Sequence, residues 1–183
     1  GAVVARHDLS PSADAISRLA AAGAETRWLM TTGIITFGVG VGTFAFAIRR
    51  VLDGLVWVAI GATALATAAI AAAPLDVSER LDRVHGVLAA IGYVTLVAAP
   101  LLAGHPLRDR GFDRLAVSGR AAASVAAVAL GLSVTALPTG LLQRLGLTLV
   151  DLWLIALATL VTSGRLAARR PGLDRCVIGP AMG

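Results

Sequence analysis

Five apolar runs follow one another along this chain: Trp28–Ile48, Gly54–Ala73, Val84–Ala103, Ala121–Leu137 and Leu145–Ser163. At 1.5 Å rise per residue a helix of such length reaches across a hydrocarbon core of roughly 30 Å. The surrounding solvent is therefore expected to be lipid. The predicted fold is an all-α polytopic transmembrane helical bundle of five spans, a single membrane domain over residues 1–183. Residues 1–27 form an outer segment and residues 164–183 a cytoplasmic tail.

Composition supports this. The chain is 57% hydrophobic and only 15% charged, where soluble domains carry about a quarter charged residues. A soluble helical protein would need a polar stripe on each helix. Gly61–Ala73, GATALATAAIAAA, has no charge on any face.

Charge sets the expected orientation. All 16 basic residues are arginines. Ten of them follow the first, third and fifth runs, against Asp53, Asp109, Asp113 and Asp174, a net of +6. The remaining six face six acids at the other end. Positive loops stay cytoplasmic, so residues 1–27, 74–83 and 138–144 are expected outside. The chain opens GAVVA, without a methionine. A signal peptide removed from the mature chain would carry residues 1–27 outside; we favour instead a further span whose last residues are Gly1–Ala5, giving six in the parent protein. The basic loops read as topology signals that also attract anionic lipid heads. Nucleic-acid binding is not expected, since the arginines are split among three loops and aromatic residues are only 4%.

Between the runs, residues 8–23 read as a short outer amphipathic helix. Ser12 would cap it, Ala15, Ile16, Leu19 and Ala20 would share a face, and Gly23 would end it. It would lie on the membrane surface or lid the bundle. Pro74 should stop the second helix and Ser78 should cap the third. The stretch GHPLRDRGFDRLAVSG, 104–119, reads as a turn-rich solvated linker. Small residues, among them Gly38, Gly40, Gly42 and the alanines of the second run, favour close helix packing. Oligomerisation through Gly38 and Gly42 is the other use of such a motif.

A few polar residues are candidates for chemistry. Asp151 lies about 10 Å into the last span, where a carboxylate is costly and tends to face a bundle interior or a wet cavity. Arg144 and Thr148 share its helix face. The group reads either as an outward-opening polar site or as a structural feature, an ion pair or a protonated, hydrogen-bonded acid that locks helix packing. His85 opens the third span, three residues after Asp82; it reads either as a metal ligand or general base, or as an interfacial histidine bonded to a loop carbonyl. Asp76, His85, Arg144, Asp151 and Ser17 make up the candidate outer polar site. No metal and no cofactor is expected. There are three histidines without metal-ligand spacing, one cysteine, Cys176, and no phosphate-binding glycine loop.

The segments LSPSADAISRLAAAGAETRWLMTTGIITFGVG, PLDVSERLDRVHG and GLLQRLGLTLVDLW together resemble the domain of unknown function 998 family, six-span bacterial membrane proteins. The resemblance covers nearly the whole chain apart from the family's first span. It matches the family's serine-rich segment at Ser10, Ser12 and Ser17, its proline–aspartate and histidine–glycine pattern at Pro74, Asp76, His85 and Gly86, and its late arginine and tryptophan at Arg144 and Trp153. The family's further polar residue after histidine–glycine is replaced here by Val87, Leu88 and Ala89, which argues against catalysis. The resemblance implies a fold and a topology but no activity. The residues favour a non-enzymatic accessory or lipid-interacting subunit of a bacterial envelope membrane assembly, with membrane lipids and other membrane subunits as partners. The alternative is an intramembrane enzyme or small transporter using the outer polar site.

Orientation gives the first prediction. In intact cells an impermeant thiol reagent should label Asp14→Cys and leave Cys176 untouched. Labelling of Cys176 would reverse the topology.

Overall fold

The computed structural model describes residues 14–135 and 138–168. The expected cap Ser12, the stretch Gly1–Ala5, His7 and Cys176 lie outside the described residues. A 3-10 helix, Ile16–Ala20, leads into α1 (Arg27–Ile48), α2 (Val56–Ala71), α3 (Glu79–Asp109), α4 (Asp113–Thr135), α5 (Thr139–Thr162) and a one-turn α6 (Arg165–Ala168). No strand occurs among the described residues. Four helices, α1, α3, α4 and α5, are long and apolar enough to cross a membrane. The second apolar run forms the shorter helix α2 of 16 residues, about 24 Å at the helical rise. Pro74 lies beyond its end as expected, and Gly54, at φ 92, precedes its start.

Each helix packs antiparallel on the next in sequence, α1 on α2 through to α4 on α5, while α1 and α5 barely touch. Many large apolar side chains point outward: Trp28, Leu65, Val94 and Val134 are each at least 70% exposed. The interior is instead rich in alanine, with Ala45, Ala59, Ala99, Ala103, Ala116 and Ala126 buried. Ile48, Leu52, Ile60, Leu107 and Leu157 fill the space between them. Lipid tails are as apolar as leucine, so close backbone approach and van der Waals packing hold the helices together. A Cβ on Gly38 would lie 3.2 Å from the Ala64 carbonyl oxygen and 3.3 Å from the Ala68 Cβ. Gly42 also faces Ala64, whereas Gly40 meets nothing within 4 Å. The Gly38/Gly42 pair is thus used inside the bundle, on α2.

The stretch 104–119 departs from its reading as a linker. α3 continues through Pro100 and Pro106 to Asp109, and α4 begins at Asp113. Only residues 110–112 turn. The Phe112 N–H donates to the Leu107 carbonyl (2.9 Å) and the Gly111 N–H to the Arg108 carbonyl (2.8 Å). With Gly111 at φ 72 this is a Schellman cap, which satisfies the helix-end carbonyls in three residues. The polar spacing that suggested a loop is carried on helix ends instead. At the start of α3, Ser78 Oγ accepts from the Leu81 N–H at 3.3 Å, with Glu79 and Asp82 in the first turn. That is the expected cap.

Two glycines on the α4–α5 seam set its spacing. A Cβ at Gly119 would fall 2.6 Å from the Trp153 indole nitrogen and 3.2 Å from the Pro100 Cβ; one at Gly146 would fall 2.7 Å from the Leu130 Cγ. The indole N–H donates to the Leu115 carbonyl at 2.9 Å, which fixes the ring. Gly119→Ala should therefore cost about 1–3 kcal/mol through overpacking and lower the thermal midpoint in detergent. Gly131→Ala, with nothing within 4 Å, should leave the midpoint unchanged or raised. Equal midpoints for the two variants would contradict the seam.

Candidate functional site

The end of the bundle that carries the 3-10 helix gathers most of the polar side chains singled out in the sequence. The Ile16 N–H opens that helix and has no partner within it. It donates to Gln143 Oε1 at 2.8 Å. The Gln143 Nε2 in turn donates to the Tyr93 hydroxyl on α3. One buried amide thereby joins the 3-10 helix, α5 and α3. Beside it, Arg144 Nη1 donates to the Asp14 carbonyl (3.2 Å) and the Gly140 carbonyl (3.0 Å).

The same segment is fastened on its other flank to the α2–α3 loop. Arg18 sits between the Asp14 and Asp76 carboxylates at 3.8 and 3.7 Å, and the Ala22 N–H donates to the Leu75 carbonyl at 2.9 Å. Asp76 holds a left-handed backbone, φ 63, which aspartate tolerates better than most residues. Its N–H donates to Asp82 Oδ1 at 3.0 Å. Asp82 therefore braces the loop and does not orient His85. His85 is buried, and its Nδ1 lies 2.8 Å from the Ala73 carbonyl oxygen. A carbonyl only accepts, so the Nδ1 carries a proton. Of the two readings of this histidine, the geometry matches the loop-carbonyl bond.

Asp76 and Arg144 are thus drawn into one network through residues 14–22, and His85 ties down the loop beneath it. Ser17 lies within the 3-10 helix, but its hydroxyl takes no part in these contacts. Asp151 stands apart. It is half-buried on α5, about 10 Å along the helix from Arg144, and it has no hydrogen bond or ion pair with the described residues. Arg144 spends its Nη1 on backbone carbonyls rather than on Asp151. Among the described residues no group of three or more His, Cys, Asp or Glu side chains is placed to hold a metal ion.

Sequence reasoning missed Gln143, Tyr93 and the Thr63–Thr95 pair, whose hydroxyls meet at 2.8 Å between α2 and α3. All four are neutral polar residues within or at the edge of apolar runs. Their signal was present, since a polar group in hydrocarbon needs a partner on a neighbouring helix, but it carries no charge to draw attention. Gln143→Leu should leave the Ile16 N–H and the Tyr93 hydroxyl unpaired, at about 1–3 kcal/mol. Hydrogen exchange should accelerate across residues 16–22 more than within α1. Tyr93→Phe, which keeps the Ile16 bond, should accelerate it less. Unchanged exchange in Gln143→Leu would show that the 3-10 helix is held by something else.

Among known proteins, the sequence matches the model of a family described as protein of unknown function (DUF998), over residues 2–160. No curated protein and no solved structure matches it.

Proposed function

This chain belongs to the DUF998 family of proteins of unknown function, and on that premise we propose that it is a non-enzymatic integral membrane protein, an accessory or lipid-interacting subunit of a bacterial envelope assembly. One observation carries the reading. The polar groups at the 3-10 end are engaged in holding that segment down rather than left converging on a shared cavity. Gln143 is engaged by Ile16 and Tyr93, the His85 Nδ1 by Ala73, the Asp76 N–H by Asp82, and the Asp76 carboxylate faces Arg18. Groups that bind a substrate need free lone pairs or protons facing it. The wide apolar exterior fits a protein whose working surface is lipid or another span. On this reading the arginine-rich end is cytoplasmic and the 3-10 end faces outward.

Asp151 favours the second reading, an intramembrane enzyme or small transporter. A carboxylate at that depth without a partner is costly, and such groups commonly serve ion or proton pathways. Asp151→Asn separates the two. Under the leading proposal the variant keeps its copurifying lipids and proteins in mass spectrometry after gentle extraction, and its thermal midpoint stays level or rises, because no ion pair is lost. Coupling with Arg144→Gln in a double-mutant cycle should be near zero. Loss of a proton- or ion-driven flux in proteoliposomes, with folding intact, would overturn the leading proposal in favour of the second.

A further inference from the structure

The opposite end of the bundle holds basic groups of a different kind. The α1–α2 turn presents Arg49 and Arg50 side by side, both exposed. The Arg49 guanidinium lies over the Phe46 ring at 5.0 Å and the Trp57 ring at 5.5 Å; that of Arg50 lies over Phe46 at 4.8 Å. Neither meets a carboxylate among the described residues. The turn has one acid, Asp53, and it is already used: Arg110 Nη2 donates to Asp53 Oδ2 at 3.1 Å. The Arg110 side chain is only 8% exposed, and its Nε has no partner. That tie holds the α1–α2 turn against the α3–α4 turn and pairs the one acid of the α1–α2 turn with Arg110.

We propose that Arg49 and Arg50, held over Phe46 and Trp57, form a binding site for the phosphodiester headgroup of an anionic phospholipid. Three features converge on this ligand. Stacking on aromatic faces leaves the guanidinium edges free to donate in the fork geometry that suits phosphate oxygens. Tryptophan beside arginine is an interfacial pairing, and it sets the headgroup level. Phe46, Leu55 and Val58 are exposed just beside the pair, which gives acyl chains an apolar wall below the charges. A zwitterionic headgroup would bring its own cation to a turn whose one carboxylate already faces Arg110. The inference deepens the lipid-interacting reading and rests on it.

The test uses the full chain in detergent, titrated with phosphatidylglycerol or phosphatidylcholine and read by native mass spectrometry. Wild type should bind phosphatidylglycerol at least fivefold more tightly than phosphatidylcholine. Arg49→Gln with Arg50→Gln should abolish that preference. Arg80→Gln with Arg83→Gln, the same charge loss on exposed residues at the other end, should retain it. Arg49→Lys with Arg50→Lys keeps the charge and should fall between. Glycerol phosphate at millimolar concentration should not displace the lipid, because it lacks the acyl chains. A preference below twofold in wild type overturns the proposal whatever the variants do. An equal loss in both glutamine pairs overturns it too, by showing that net charge suffices. If phosphatidylcholine binds as well as phosphatidylglycerol, this site fails while the lipid-interacting reading stands. If neither lipid binds, both fall.

Discussion

Hydrocarbon offers no hydrogen bonds, and that constraint shapes every level of this structure. Backbone groups must close within helices, so the described chain is helix with short turns. The association of those helices cannot draw on the hydrophobic effect, so contact area and close approach must supply it. Alanine and glycine therefore line the close seams, leucine, valine and Trp153 fill the space between them, and further leucines and valines face out. The Gly119–Trp153 contact shows how far this goes, with one indole set against a bare backbone and secured by its own N–H.

Polar side chains that remain must then be matched one to one. Gln143 has both a donor and an acceptor, and it finds both partners on different elements. Thr63 and Thr95 find each other, and also bond back to the carbonyls of Ala59 and Ile91. Arg144 donates to the carbonyl oxygens of Asp14 and Gly140. Each arrangement adds specificity, because a slip of one residue along a helix would strand a donor in lipid. Asp151 breaks this economy, which is why it carries the alternative functional reading.

The fold was legible from hydropathy because lipid imposes a long period that few other environments require. The ends of the elements were less so. Ser78 and Pro74 announced themselves, since capping oxygens and missing amides act locally. The 104–119 stretch did not: its arginines, aspartates and prolines suggest a loop when read by composition, yet Gly111 confines the turn to three residues. The site was half visible. Asp76, His85 and Arg144 stood out by charge or type and do occupy one end. What joins Asp76 and Arg144 is Asp14 and Arg18, and that link depends on a fold-back that no local pattern encodes.

That fold-back has a consequence for how the protein is made. Neighbouring helices pair in sequence order, so each can dock on its predecessor as it leaves the insertion machinery. The latch on the 3-10 helix is different. Its bonds join Ile16 to Gln143 and Asp14 to Arg144, separations of 127 and 130 residues. Until α5 arrives, the Ile16 amide has no Gln143 to meet. Closing so long a loop carries an entropic cost that local pairings do not. The latch therefore cannot close before α5 has arrived, and its closure marks a bundle whose final span is in place.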